Sequence, residues 1–418
     1  MPLRTFARAA LRHISATVQT LLAPPAGPAA PESQPPPLLS ASALRALHAE
    51  LELIRRQIKA QVGPEDVEHL ERMVRWGRAC TGLGLATAWI APNPISALLL
   101  STGTFSRWAM VAHHIIHRGY DAVPGVPARY HSARFARGAR RFRDWFDWMT
   151  PEAWHEEHDL LHHYRLGEVA DPDLVEHNLG WLRDAALPRA AKTALVAVMA
   201  LSWKWAYYAP NTLEKLQDAR ARRAGRPAPT RAGRLSIFNP LSPEGRELWW
   251  RCYLPYAAWN FAILPSLYAP LGPWAVFSVW SNLLMAEALT NLHAFIVIVP
   301  NHAGADLSRF PAPTSSRQEF YLRQILSSAN YPCGDDWTDF LHGGLNYQIE
   351  HHLFPDLSML QYRRCQPLVK ALCARHGVPY VQESVWRRLR RTVAIMNGQA
   401  TMRRHPGTAA PEASAAAG

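Results

Sequence analysis

The sequence predicts an all-α integral membrane protein with about four transmembrane helices in two hairpins, further interfacial helices and a cytosolic cap rich in histidine. Three observations predict this class: long apolar stretches separated by proline-containing turns, 16 tryptophans, and 19 histidines, nine of which lie in three short groups. Tryptophan is enriched at membrane interfaces. The 418 residues are 48% hydrophobic and 19% charged, which excludes a globally disordered chain.

The N-terminal region divides into two parts. Residues 1–42 are rich in Ala and Pro and predict a disordered tail, since such a composition cannot form a packed core. The arginines at its start also fit a transit peptide, which is the alternative interpretation. Residues 43–79 then predict an amphipathic cytosolic segment, because Leu44, Leu47 and Leu51 recur at helical spacing.

The apolar stretches predict the membrane spans. The first two are separated by a Pro-Asn-Pro turn and the last two by a Pro-Leu-Gly-Pro turn, so each pair forms a hairpin. The first member of the first pair is shorter than the roughly 20 residues that a span usually needs, so this pair also fits two buried helices of a soluble protein. The four predicted spans are Thr81–Ala91, Ile95–His113, Tyr253–Leu271 and Pro273–Pro300.

A fifth apolar stretch, residues 190–210, is predicted to lie at the membrane interface. It carries Lys192 and Lys204, and a lysine in the bilayer centre costs about 2.5–3.5 kcal/mol on insertion scales. Residues 215–234 contain seven basic residues and one acidic residue, which is typical of a cytoplasmic loop. Four spans then place three polar regions on the cytosolic side: 114–189, 211–250 and 301–418.

Three groups of histidines indicate the chemistry of the protein. His113 and His117 are one helical turn apart at the end of the second span, so they share a face. A second group contains His158 and His162, again one turn apart, with His163 about 100° round the helix, so that one helix could serve two metals. The third group is an adjacent pair within apolar sequence, which is costly to bury unless it is paired or ligated. That pair is His351 and His352.

These side chains predict a metal centre. Imidazole-rich sites suit Zn, Cu, Fe or Ni. A tetrahedral zinc takes four ligands, and eight or more candidate histidines are too many for one such ion. Two metals of higher coordination number fit the count better. The five cysteines include no CxxC pair, which excludes a zinc ribbon and a disulfide framework.

The three groups resemble the histidine boxes of the membrane fatty acid desaturase family. The sequence Asn346-Tyr347-Gln348-Ile349-Glu350-His351-His352-Leu353-Phe354-Pro355 is the most specific match, and its Gln is similar to the front-end subgroup of that family. The resemblance covers about residues 80–380. It implies these metal ligands: His113, His117, His158, His162, His163, His302, His351 and His352.

Four further residues are weaker candidates. Gln348 stands where many relatives present a histidine, and it either binds iron weakly or hydrogen-bonds near it. His114, His155 and His293 are expected to support ligands from outside the coordination sphere.

The resemblance also implies the reaction and its partners. Two Fe ions and O2 would remove two hydrogens from an acyl lipid or acyl thioester, with electrons from a separate ferredoxin or haem-carrier protein. The apolar stretches and the charge of the loops predict a multi-pass membrane protein with its active site on the cytosolic side. No nucleic acid is expected as a partner, because the basic residues lie in juxtamembrane loops. The expected division of the chain is a desaturase domain at 80–380 and a basic C-terminal tail at 381–418.

Other functions remain open at this stage. A lipid hydroxylase or ketolase would use the same metal site. A membrane metal transporter would place its polar residues at the middle of the membrane and show internal repeats, but here the histidines lie outside the spans. Arginines after the first histidine group, at 118 and 134–141, fit either an anionic acyl-carrier head or the ordinary positive charge of a cytoplasmic loop.

Overall fold

The computed structural model describes residues 39–229 and 236–405. The described chain is mostly helical, and its one small sheet pairs two short parallel strands, β1 and β2. The expected tail at 1–42 lies outside the described residues, apart from 39–42. Of these, Ser40 caps the first helix by accepting a hydrogen bond from the Ala43 amide.

The elements follow one another with short connections, and several α-helices continue directly into π-helices. The α-helices of the first half are α1 Ala41–Lys59, α2 Pro64–Ala88, α3 Pro94–Phe105, α4 His113–Ile116, α5 Arg141–Asp144, α6 Pro151–Trp154, α7 His163–Arg165, α8 Val175–Asn178, α9 Gly180–Arg183, α10 Arg189–Trp203 and α11 Ala209–Arg223. Those of the second half, with the strands, are α12 Pro243–Glu247, α13 Leu254–Ala258, α14 Leu264–Ser266, α15 Pro273–Ile298, β1 Ser308–Arg309, α16 Arg317–Leu326, α17 Asp336–Leu341, α18 Gln348–Leu353, α19 Met359–Arg375, α20 Val385–Met396 and β2 Arg403–Arg404.

Five π-helices lie between α-helices in the described parts of the chain. They join α3 to α4, α6 to α7, α10 to α11, α12 to α13 and α13 to α14. A π-helix shifts every following side chain round the axis and is often found at functional sites. The π-helices are Ser106–Ala112, His155–His162, Lys204–Tyr208, Leu248–Tyr253 and Trp259–Ile263.

The predicted first hairpin is present. Helices α2 and α3 pack along each other, and α15 packs on α3. Their close approach depends on glycine: a Cβ at Gly103 would lie 2.1 Å from the Thr81 hydroxyl, and one at Gly77 would lie 2.2 Å from the Ser106 hydroxyl. Asn282 of α15 closes the hairpin end, because its side-chain amide donates to the carbonyls of Ala88 and Ala91.

The expected divisions of the chain do not coincide with element boundaries. The amphipathic segment expected at 43–79 is two helices, because α1 ends at Lys59 and Gly63 and Pro64 begin the next helix. Helix α2 runs through the boundary expected at 79/80 to Ala88. The expected C-terminal tail contains α20, which packs against α9, α10 and α15. Residues 406–418 of that tail lie outside the described residues.

One helix among the described residues, Pro273–Asn301, is long and apolar enough to cross a membrane. The four-span topology therefore stays a prediction. The interfacial position expected for 190–210 was argued from its lysines, and the structure gives Lys204 a partner instead: its ammonium lies 2.7 Å from the Asp147 carboxylate and over the Trp108 ring. Lys192 donates to the Arg183 carbonyl. Both charges are satisfied within the protein.

Candidate metal centre

The first pair of ligands stands where a π-helix returns to α-helix. Ser106–Ala112 leads directly into α4, and His113 and His117 follow one turn apart with ring centroids 5.0 Å from each other. Both side chains are buried. The spacing predicted a shared face, and the structure places both rings in the same group.

The second set of ligands lies on the π-helix His155–His162. Hydrogen bonding from i to i+5 brings residues five apart onto one face, so His158 and His163 point the same way. The structure groups these two, whereas the sequence analysis paired His158 with His162 on α-helical spacing. His162 faces the neighbouring group, so the expectation that one helix serves two metals agrees with the arrangement.

The third set follows a close backbone approach. Gly343 and Gly344 have φ of 66° and 72°, and a Cβ at Gly343 would lie 2.8 Å from Ala109. This turn seats α18 against the first hairpin and directs His351 and His352 inward. His302 arrives from just beyond the end of α15.

The eight predicted ligands form two adjoining groups, each with ring nitrogens within 4.8 Å of one another. The groups meet at the stacked rings of His163 and His352, whose centroids are 4.2 Å apart. A third, overlapping combination joins His158 and His162 to the Asp173 carboxylate. The first group is His113, His117, His158, His163 and His351, and the second is His162, His302 and His352.

Hydrogen bonds on the outer side fix the tautomers of the second group. The Nδ1 atom of His302 lies 3.1 Å from the Ser327 carbonyl, and that of His352 lies 3.2 Å from Gln324 Oε1. Each Nδ1 therefore carries the proton, and each neutral ring directs an Nε2 lone pair inward. Those two Nε2 atoms are only 3.2 Å apart. Two inward-facing lone pairs this close together suit binding of a shared cation.

The first group repeats this pattern. His351 Nδ1 donates to the Tyr362 hydroxyl at 3.1 Å, and its Nε2 lies 3.0 Å from His113 Nε2. The Nδ1 atom of His117 faces the Asp159 carboxylate at 3.0 Å. Both nitrogens of His163 are buried and have no hydrogen-bond partner in the described part of the chain. These residues fit a pair of metal ions bound by imidazole.

Burial keeps most of these rings neutral, which is the form that binds metal. Desolvation lowers the pKa of His302 well below the usual value. Desolvation and, after it, the neighbouring imidazoles do the same for His158, His163, His351 and His352. For His162, burial acts to lower the pKa, but the carboxylates of Asp171 and Asp173 outweigh it and the pKa is raised.

Two spaces flank the metal centre on different sides. The apolar cavity lies between the hairpin, α10, α15 and the second histidine set, and it contacts His113, His158, His162 and His302. The polar cleft contacts His163 and His352 and is lined by Arg55, Lys59, Arg118, Arg317 and hydroxyl groups at 314–316. The rest of the apolar cavity is mainly Trp108, Trp154, Leu179, Met199, Trp203, Tyr208, Phe295, Ile298 and Met396.

Comparison with known proteins decides the family. A family model described as fatty acid desaturase matches residues 87–384, most of the chain.

The chain belongs to the fatty acid desaturase family.

This confirms the resemblance of the histidine boxes and identifies the protein as an oxidoreductase that acts on fatty acyl chains.

Several relatives carry desaturase names. The NADPH-dependent stearoyl-CoA 9-desaturase of Mycobacterium tuberculosis is 24% identical over 353 residues, which are 81% of this chain and 75% of the relative. The Delta 8-(E)-sphingolipid desaturase of Komagataella phaffii is 40% identical over 82 residues, 19% of this chain and 15% of the relative. Fatty acid desaturase 3 of Bos taurus is 62% identical over 44 residues, 10% of each chain. No solved structure matches the chain.

The weaker candidates of this desaturase lie around the two groups. Gln348 is nearest, with Nε2 3.0 Å from His302 Nε2 and a buried Oε1 that has no partner among the described residues. His155 faces the Asp159 carboxylate at 2.9 Å, so it acts on His117 through that acid. His114 donates to the Met110 carbonyl and His293 to the Leu341 carbonyl, and neither enters a group.

Sequence reasoning missed the residues that orient the ligands. Asp159 follows His158 directly, and Asp171 belongs to an Asp-Pro-Asp motif, so both stood beside recognised ligands. Asp171 lies 2.8 Å from His162 Nδ1. Tyr362 and Gln324 reach the third set from α19 and α16, and no local pattern marks them.

Gln348 is expected to act beside the second group without being an essential ligand. An amide offers weaker metal binding than imidazole, so Gln348→Ala should lower metal affinity or activity on the order of 10–100-fold. His351→Ala should remove metal and activity altogether. Elemental analysis of both purified variants makes the comparison. A Gln348→Ala protein that loses as much metal as His351→Ala would make Gln348 a full ligand.

Proposed function

We propose that this protein is a membrane desaturase that uses two iron ions and O2 to introduce a double bond into a lipid acyl chain. The main support is that eight imidazoles converge in two adjoining groups, and that these groups contribute to the wall of an apolar cavity. The proposed desaturase domain covers residues 80–380, close to the family match at 87–384.

The ligand set supports two metals of the iron type. Imidazole suits Fe among the first-row metals, and five plus three histidines exceed what one tetrahedral ion can use. The proposed ligands are the eight histidines of the two groups, with Gln348 beside His302. Two irons bound there would pass electrons from the external donor to O2, and the reduced O2 would provide the oxidant for an unreactive C–H bond.

The chain's own residues position the substrate and exclude water. Alkyl carbons offer no polar handle, so the shape of the apolar cavity must select which carbon lies beside the metals. Trp203 stacks on Tyr208 with centroids 5.0 Å apart, and Trp108 packs against both. These rigid rings give the cavity a fixed wall. The stearoyl-CoA named for the mycobacterial relative supports an acyl thioester as the substrate, and the fungal relatives support an acyl lipid.

The polar cleft supports a route for electrons from a separate protein. It opens on the side of the metal centre away from the apolar cavity and contacts the outer faces of His163 and His352. Four basic side chains and three carboxylates, Asp121, Asp159 and Asp356, line the cleft. Its small positive excess favours an acidic carrier, since complementary charge speeds the encounter of transient partners. The side chain of Arg118 has no hydrogen-bond or ion-pair partner among the described residues. Arg118 lines this cleft, and its backbone φ is 68°.

We also propose the four-span topology with the metal centre on the cytosolic side. Apolar side chains face outward from the helices concerned: Ile95 and Leu98 on α3, and Trp274 and Phe277 on α15. Helix α10 likewise exposes Val198, which supports a membrane-facing side for the stretch expected at the interface. Such outward apolar faces favour a lipid environment.

The reaction is tested by the lipids of a host cell. Expression of this chain should produce a new double-bond isomer in the acyl chains, detected by mass spectrometry after derivatisation of the double bond. Expression of His351→Ala should leave the lipid profile as in the empty host. If the host instead gains a hydroxylated or keto lipid and no new double bond, the protein is a hydroxylase or ketolase and the desaturase proposal is wrong.

The apolar cavity is tested by narrowing it. Met199 lines the cavity, whereas Leu195, one turn earlier on α10, faces outward. Met199→Trp should reduce turnover of long acyl chains at least tenfold while the iron content stays unchanged, because the added ring occupies substrate space. Leu195→Trp is the matched control and should keep full activity. Equal activity of both variants would place the acyl chain elsewhere.

The topology is tested by cysteine labelling in intact cells. A membrane-impermeant maleimide should label Leu271→Cys from outside, because this residue lies in the turn between the last two spans. Ala224→Cys should react only after permeabilisation, since it lies in the basic cytosolic loop. The unsubstituted chain, with its largely buried cysteines, provides the background. Labelling of both positions from the same side would disprove the four-span arrangement.

A further inference from the structure

The apolar cavity beside the metal centre has an opening between α8 and the end of α10. Its deep lining residues Trp108, Trp154 and Trp203 are buried. Across the opening, the Asn178 side chain donates to the Tyr207 hydroxyl at 3.0 Å, which places α8 and the π-helix Lys204–Tyr208 on opposite sides of it. This opening, the mouth of the cavity, is lined by partly exposed side chains: Asp173, Val175, Asn178, Met199 and Tyr207.

Exposed apolar side chains adjoin the mouth on both sides. On α10, Val198 stands next to Met199 and is 62% exposed, and Leu201 also faces outward. On α9, just beyond α8, Trp181 is 50% exposed. Exposed apolar surface of this kind marks contact with lipid or with another protein, and tryptophan is enriched at the membrane interface. The apolar lining of the mouth therefore continues into the surface that we propose to face the membrane.

The charge of the mouth disfavours an anionic acyl carrier. Coenzyme A carries several phosphate groups, and proteins bind phosphate with arginine and lysine side chains. No Lys or Arg is among the described residues that line the cavity, and the charged residue at the mouth is an acid, Asp173. An anionic head held at this opening would face a carboxylate.

The cations around the mouth are engaged elsewhere. Two arginines reach α8, and both contact its one acid: Arg183 lies 3.4 Å and Arg309 lies 3.3 Å from the Glu176 carboxylate. Lys215 interacts electrostatically with Asp173 itself. The cationic side chains near the metals line the polar cleft instead, on the other side of the histidine groups. A carrier head bound there would be separated from the mouth by the metal centre.

We propose that the apolar cavity takes its acyl chain from a membrane lipid, which enters laterally through the mouth, and not from a coenzyme A thioester in water. The proposal rests on the reaction and the membrane position proposed above, and it selects the lipid from the two carriers that the relatives support. The acyl tail passes between α8 and α10 to the aromatic wall, while the lipid headgroup stays outside at the level of Trp181.

The carrier is tested by photo-crosslinking of the purified protein in lipid nanodiscs. Two probes carry the same stearoyl chain with a photoreactive diazirine, one as phosphatidylcholine in the bilayer and the other as the coenzyme A thioester in the buffer. At equal total concentration, the lipid probe should label the peptide containing Met199 and Trp203 on the order of tenfold more strongly, because unpaired phosphates at the mouth cost affinity. Equal or stronger labelling by the thioester would overturn the proposal.

The mouth is tested with a matched pair of variants. Val175→Trp narrows the opening and should reduce labelling by the lipid probe on the order of tenfold, because the added ring occupies the path of the acyl chain. Val169→Trp, at an exposed position that does not line the cavity, should keep full labelling. Unchanged unfolding temperatures show that both variants are folded. Full labelling of folded Val175→Trp would exclude entry between α8 and α10.

A pulse of deuterated stearate in the expressing host tests the same carrier during turnover. The deuterated chain with the new double bond should appear in the phospholipids before it appears among the acyl thioesters. Its first appearance among the thioesters would overturn the proposal. A host in which no lipid pool gains the double bond would refute the proposed reaction, whereas the crosslinking, which requires no turnover, would still identify the carrier.

Discussion

The fold is organised around a dense set of imidazole lone pairs held inward in a buried space. His302 and His352 point Nε2 atoms at each other across 3.2 Å while their Nδ1 protons are engaged outside. Such an arrangement is unfavourable unless cations lie between the rings. Three features hold the rings in this arrangement. They are the hydrogen-bond acceptors of the Nδ1 protons, the π-helices and the glycine turn before α18. Removal of an outer acceptor would free a ring to turn its proton inward and weaken the site.

The rings also separate two chemically different spaces. On one side, aromatic and aliphatic residues around Trp203 form a dry cavity suited to an acyl chain. On the other side, a charged cleft contacts His163 and His352. In the proposed oxidation, an apolar substrate reacts on one side of the metal centre while electrons arrive from the aqueous side. The two spaces must be separate, because water in the substrate cavity would compete for the oxidant.

Much of this arrangement could be predicted from sequence, because ligand spacing is local. The spacing of the pairs His113/His117 and His351/His352 is enough to predict a metal centre. The Pro-Asn-Pro turn is enough to predict the first hairpin. The grouping of His158 with His163 could not be predicted, since a π-helix is a departure from regular hydrogen bonding that no residue pattern marks. Tyr362 and Gln324 were missed for another reason: only tertiary packing brings their helices to the histidines. The boundaries expected at 79/80 and 380/381 followed the extent of the family resemblance. Helix α2 continues across the first boundary, and α20 packs onto the fold beyond the second.

The central claim is that the converging imidazoles hold two irons, and the metal content of the purified chain tests it most directly. Protein produced in iron-replete medium should contain about two irons per chain by elemental analysis, as the ligand number requires. Removal of this iron with a chelator should lower the unfolding temperature, because the closely spaced ring nitrogens of the two groups would then lose their shared cations. A folded protein with a single zinc and no iron, or with an unfolding temperature indifferent to iron, would contradict the account.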